Sequence, residues 1–168
     1  VEQVYDNRVR QAGKYSASSS KQEIQSACQV FASAPNLQWT KPPSGSGIDL
    51  WISKNGSNYI FDTKTVQPNV GSFVRYLRQI LNWYSYFFAQ YPAATLEARI
   101  VFPYNPYSPR DFWENTQNKA RPLFPVEEAW VEDDFWELCT GKTGSYSIIH
   151  KALKHVGQEG LVSEQIKE

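Results

Sequence analysis

Asp49, Asp62 and Lys64 are the residues of this chain whose types and spacing could do chemistry together. They surround a turn, Lys54-Asn55-Gly56-Ser57-Asn58, flanked by Ile48-Asp49-Leu50-Trp51-Ile52 and by Tyr59-Ile60-Phe61-Asp62-Thr63-Lys64-Thr65. Both flanks are rich in aromatic and β-branched residues, and Asn-Gly between such runs is the strongest short-range hairpin signal. Two antiparallel strands are expected, and pairing across the turn brings Asp49 close to Asp62. Lys64 lies two residues beyond Asp62, so on a strand both project from one face. Two carboxylates this close repel unless a cation lies between them, and hard oxygen ligands favour magnesium or manganese. A lysine beside such an ion can orient or deprotonate a water and offset charge developing on a phosphate. That is equipment for phosphodiester hydrolysis.

The competing reading of the same residues is a surface charge pair, because an acid two positions before a lysine also arises by chance. Lys64 is, however, the only lysine with an acid at that offset, and Asp49 opposite favours the chemical reading. Asp49, a gap of twelve residues, and then Asp62-Thr63-Lys64 resemble the core of the PD-(D/E)xK nuclease superfamily. A small, aromatic-rich, single-domain chain of this kind most resembles a type II restriction endonuclease. The resemblance covers roughly residues 20 to 102. Relatives usually carry Pro before the first Asp, a variable position where this chain has Ile48.

The resemblance implies an α/β fold with a restriction-endonuclease-like core, a mixed central β-sheet flanked by α-helices. It implies Mg2+, with Mn2+ as a substitute, held by Asp49, Asp62 and the Thr63 carbonyl, and Lys64 positioning the attacking water. Double-stranded DNA would be cut to 5′-phosphate and 3′-hydroxyl ends. Palindromic targets are cut by two-fold dimers, so a homodimer in the cytoplasm of a prokaryotic cell is the expected state. Within the same fold the alternative is a repair or recombination nuclease acting on ends. From another class, it is a non-catalytic DNA- or protein-binding module whose carboxylates form only a salt-bridged surface.

At 168 residues the chain is expected to form a single domain, 1–168, large enough to bury a core. Hydrophobic content of 41% and aromatic content of 15% fit a folded globule. Formal net charge is zero, so DNA affinity has to come from local clusters of basic residues. Residues 127–137 hold six acids and no base, which reads as a solvated helix face turned away from phosphate, the alternative being an interface role. Cys28 and Cys139 lie far apart without metal-ligand spacing, as ordinary thiols of a reduced intracellular protein. No apolar run approaches the ~18 residues of a membrane span, and no signal peptide is visible. Methionine is absent even at position 1, so the chain reads as trimmed, with an upstream segment expected.

The elements that must position the three residues follow from periodicity. Val1, Val4, Tyr5 and Val9 suggest a short amphipathic helix over 1–11, ended by Gly13. After a serine-rich turn over 16–20, Ser20-Lys21-Gln22-Glu23 matches a capping box with Ser20 as N-cap. Ile24, Ala27, Cys28 and Phe31 make that helix's expected buried stripe, and Pro35 stops it. Glu23 has two readings. It serves the cap, or, as the resemblance implies, it is a catalytic residue on the helix before the first Asp that supports a metal. The loop over 40–47 contains glycines that would let backbone approach a phosphate, with Lys41 to pair with it; the plainer reading is a connector.

Phe73, Tyr76, Leu77, Ile80, Leu81, Tyr84, Phe87 and Phe88 repeat at three and four, so a helix follows Gly71-Ser72. Its opposite face carries Arg75, Arg78, Gln79 and Asn82, either a solvated face or a DNA-facing one. Gln79 followed four residues on by Trp83 is similar to the glutamine-to-tyrosine pattern of recombination nucleases. Residues 98–102 form a third, central strand. Periodicity disappears over 103–125, where Arg110, Asn115, Gln117, Asn118, Lys119 and Arg121 lie among prolines and aromatics. Such side chains bond base edges or phosphates, and the alternative is a solvated connector. Helices near 126–139, 145–156 and 159–167 close the chain. His150 and His155, five apart, share no helix face well and lack ligand-spaced partners, so zinc is not expected.

Overall fold

A computed structural model describes residues 1–10, 14–32, 42, 44, 46–116 and 123–159. Its elements run in order α1 (Glu2–Arg10), α2 (Ala17–Ala32), β1 (Leu50–Lys54), β2 (Ser57–Thr63), α3 (Val70–Gln90), β3 (Thr95–Phe102), α4 (Phe112–Thr116), β4 (Ala129–Val131), α5 (Asp133–Thr140) and α6 (Ser145–Gln158). Asn55 and Gly56 both take positive φ, 52° and 77°. This two-residue turn matches the twist of the strands it joins, and β1 pairs antiparallel with β2. β2 and β3 are parallel, with α3 as the crossover, and β4 adds parallel to the far edge of β3. The result is a mixed four-stranded sheet with helices on its faces, the α/β architecture expected.

Side chains alternate across the central strands and so divide the core. Ile60, Leu96, Ala98, Ile100 and Phe102 face the layer that contains α1, α2 and α3. Phe61 and Val101 face the other way, onto Phe135 of α5 with Trp130 and Trp136 beside it. α3 buries all eight residues of its predicted stripe, with Ser72 and Trp83 as well. Each such large apolar side chain contributes roughly 1.5–3 kcal/mol on burial, which outweighs the modest helix propensity of its aromatics. Asn69 caps the helix, its Oδ1 accepting from the Ser72 N–H at 2.8 Å. β3 starts at Thr95, three residues earlier than periodicity suggests, because pairing with Ser57 extends it.

Several expectations are corrected. Ser16, not Ser20, caps α2: its Oγ accepts from the Ser19 N–H at 3.0 Å, and the Ser19 hydroxyl accepts from the Ser16 N–H at 2.9 Å. Ser20 is fully buried one turn in, where its hydroxyl accepts from Arg8 and donates to the Ser16 carbonyl. Glu23 therefore has no part in the cap. Ile24 and Cys28 are buried as expected, but Ala27 and Phe31 are exposed. In α1, Val9 is exposed while Arg8 is buried, because Glu128 meets the guanidinium inside the protein. The segment 126–139 is not one helix. Ala129–Val131 pairs with the open edge of β3, which would otherwise keep unpaired backbone groups, and only then does α5 begin.

Nor is the acidic run a solvated face. Glu128 is 1% exposed. Glu132, Asp133, Asp134 and Glu137 each accept a backbone N–H, from Asn105, Tyr146, Val131 and Gly144. α6 forms as expected, whereas Gly13, Pro35 and the helix at 159–167 lie on or extend into positions outside the described residues. Among the described residues no helix is long and apolar enough to cross a membrane.

Candidate active site

The open end of the hairpin carries the two aspartates. β1 and β2 pair with Leu50 opposite Phe61, a register that would next oppose Asp49 to Asp62. Instead the Asp49 N–H donates to the Phe61 carbonyl at 2.9 Å, so the ladder is displaced by one residue, as in a bulge. Asp49 Oδ2 then accepts from both the N–H and the hydroxyl of Thr63, each at 2.8 Å. Asp62 has the parity of Ile60 and so lies on the α3 side of the sheet, 6% exposed. Its Oδ2 accepts from Lys64 Nζ at 2.6 Å and from Gln79 Nε2 at 2.9 Å. Lys64 continues the parallel pairing through its own N–H, which donates to the Val101 carbonyl at 2.8 Å. Its ammonium stands 5.7 Å from the centre of the Tyr76 ring.

The two carboxylates differ electrostatically. Two hydrogen bonds from Thr63 hold Asp49 below the ordinary carboxylate range. Burial pushes Asp62 above it, against the lowering effect of Lys64 and Gln79, and the facing Asp49 adds to the rise. A divalent cation placed between them would favour the charged form of both. The donor set is two hard carboxylates, and among the described residues no third His, Cys, Asp or Glu joins them to form a metal-binding group. Two carboxylates are hard oxygen donors of the kind that can hold a divalent cation.

α3 reaches both segments. Gln79 bonds Asp62, and one turn later the Trp83 indole N–H donates to the Ser46 carbonyl at 3.0 Å, just before Asp49. The spacing of Gln79 and Trp83 is legible in the sequence, but the backbone partner of Trp83 is not. Arg75, Arg78, Gln79 and Asn82 line one shallow hollow together with Ser46. Within it Arg78 pairs with Glu2 at 3.0 Å and stacks 4.2 Å over Tyr5. Past β3, the Tyr104 hydroxyl donates to the Thr65 carbonyl and the Tyr107 hydroxyl to Pro68 at 2.8 Å. Gln67 closes the contact by donating to the Pro106 carbonyl at 2.9 Å. The start of the long loop is thereby fastened beside Lys64.

The remaining predicted residues are scattered. Glu23 lies within α2 and is not gathered with Asp49 and Asp62 into a metal-binding group. Arg110 is exposed at the end of the fastened loop. Asn115 is on α4, its amide donating to the Asp111 carbonyl at 2.7 Å. Lys41, Gln117, Asn118, Lys119 and Arg121 lie outside the described residues. His150 and His155 are exposed on α6, with His150 stacked on Tyr146. Cys28 and Cys139 are free thiols.

No curated protein and no solved structure matches the chain. A family model does: "Type II restriction endonuclease, HinfI" covers residues 7–157. That span takes in both aspartates, Lys64, α3 and all four strands. The chain belongs to the HinfI type II restriction endonuclease family and is a deoxyribonuclease acting on double-stranded DNA.

Proposed function

We propose that this endonuclease is Mg2+-dependent, with Mn2+ able to substitute, and that Asp49, Asp62 and Lys64 do the cutting. The observation that carries this is the shared Asp62 oxygen, bonded by Lys64 and Gln79, beside a second carboxylate that Thr63 holds in place. Asp49 and Asp62 would hold the ion, with the Thr63 carbonyl as a further ligand. When bound, it would lower the pKa of a coordinated water and neutralise charge on the phosphate.

The chain's own residues do the rest. Asp62 fixes the Lys64 ammonium, and the lysine orients the attacking water and offsets charge as the phosphate becomes more negative. The water oxygen bonds to phosphorus, the P–O3′ bond breaks, and 5′-phosphate and 3′-hydroxyl ends result. Gln79 keeps the Asp62 carboxylate from rotating. Two copies of the chain acting as a homodimer would cut both strands of a palindromic site. Arg75, Arg78 and Asn82 suit backbone phosphates beside the cut. Arg110, in the fastened loop, and Arg121 are proposed for guanine edges; Asn115, Gln117 and Asn118 suit adenine or phosphate, and Lys41 and Lys119 phosphate. Glu23 supports a second metal only if DNA binding brings α2 toward the site.

The test is incubation of plasmid DNA with and without magnesium, using the native chain and Asp62→Asn. Discrete fragments that require magnesium and vanish in Asp62→Asn are expected. Full cutting in chelator, or by the variant, removes the assignment.

A further inference from the structure

Beside the carboxylates lies a hollow that the cutting chemistry does not use. It measures about 420 Å³ and is lined by Trp51, Ile60, Trp83, Tyr86, Phe87 and Tyr91, among others, with Gly47 and Ile48 on the wall next to Asp49. This volume falls within the range of sites that hold small organic molecules. Trp51 and Ile60 are paired residues of β1 and β2, and Ile60 shares the sheet face of Asp62. The hollow is thus on the catalytic face, between the edge strand and the second half of α3. Two of its aromatics are left open: Trp51 is 48% exposed and Tyr91 46%. Phe87 stands edge-on to Trp51 at 5.9 Å and tilted against Tyr91 at 5.3 Å, which braces both rings from below.

Ser46 lines both this hollow and the polar one that carries Arg75, Arg78, Gln79 and Asn82. An apolar aromatic slot that shares Ser46 with a hollow lined by Arg75 and by the Glu2-paired Arg78 fits one chemical species well: a nucleotide, with its base in the slot and its phosphate toward Arg75. Base faces stack on aromatic rings whatever their sequence, and a base can reach such a slot only from single-stranded DNA or by leaving the duplex. We propose that the hollow receives a base extruded from the DNA duplex next to the scissile phosphate, with Trp51 and Tyr91 as its stacking surfaces. The inference rests on the reading that Asp49 and Asp62 mark the cutting site.

The experiment uses the full chain with calcium, which occupies oxygen sites but supports cutting poorly, and duplexes spanning the mapped cut. 2-Aminopurine replaces each base around the cut in turn. Emission is expected to change on binding at one position per half-site, and a mismatch there should tighten binding several-fold by making extrusion cheaper. Trp51→Ala should weaken binding about tenfold and leave the bound probe brighter, because the quenching indole is gone. Trp51→Phe should restore most of the affinity, and Tyr91→Ala should resemble Trp51→Ala; both positions are exposed, so neither change threatens the core. Bound duplexes with no responsive position would overturn the proposal, as would Trp51→Ala and Tyr91→Ala proteins that bind as tightly as the native chain. Because this readout needs no cutting, an active Asp62→Asn would sink the carboxylate assignment alone, and a silent hollow this proposal alone.

Discussion

Two carboxylates are buried among the described residues, and they are held in opposite ways. Glu128, 1% exposed, takes Arg8 across both oxygens at 2.8 and 2.7 Å and also accepts the Phe124 N–H at 3.0 Å. Phe124 in turn lies 4.6 Å under the guanidinium. Charge and geometry there are saturated, and the pair ties α1 to the turn before β4. Asp62 is almost as buried, yet its donors are a half-buried lysine and a glutamine, both on one oxygen, and a second acid faces it. Saturation makes the first a strut. Incomplete compensation leaves the second able to gain from an added cation, which is what the proposed function asks of it.

Substitutions should separate the two. Asp62→Asn should lose about four orders of magnitude in cleavage rate, over ~5 kcal/mol in barrier, with the unfolding transition unmoved or raised. Arg8→Ala should do the reverse. Stranding Glu128 in the core should cost about 3–5 kcal/mol in denaturant unfolding, and the double change Arg8→Met/Glu128→Leu should recover most of it. If Arg8→Ala folds normally but fails to cut, the division between strut and site is wrong. Lys64→Ala should slow cutting ~100- to 1000-fold while thermal stability moves by less than ~1 kcal/mol, as for a partly exposed pair.

Smaller effects sharpen the contrast. Gln79→Ala should slow cutting about tenfold, ~1.4 kcal/mol, with a smaller change in DNA affinity. pH should discriminate between the two aspartates. Asp62 holds its proton more readily folded than unfolded, so its contribution falls as pH rises from the ordinary carboxylate range through its raised value. Asp49 has the opposite sign: its contribution is present above the ordinary range and lost as pH falls through its lowered value. In metal-free buffer at pH 7, Asp62→Asn should therefore melt no lower than the native chain and Asp49→Asn lower. Equal shifts for both would mean that Thr63 does not set them apart.

Local patterns carried much of this protein in the sequence. Asn55-Gly56 made the hairpin legible because both residues take positive φ, and all eight positions that the apolar repeat of α3 predicted are buried. Asp62 and Lys64 were readable because a strand repeats every two residues. Elsewhere the deciding contact came from far along the chain. Arg8 and Glu128 are 120 residues apart, and nothing near either shows that its charge is to be buried. Ser20 mimicked a cap, but Ser16 already supplied one and Arg8 claimed the hydroxyl. Residues 129–131 became a strand because β3 had an open edge, a condition no window around them contains. The one-residue displacement at Asp49 belongs to the same class. Turn chemistry and periodicity brought the two aspartates to one end of the hairpin; only the tertiary fold, by giving Thr63 to one and Gln79 to the other, made them unlike.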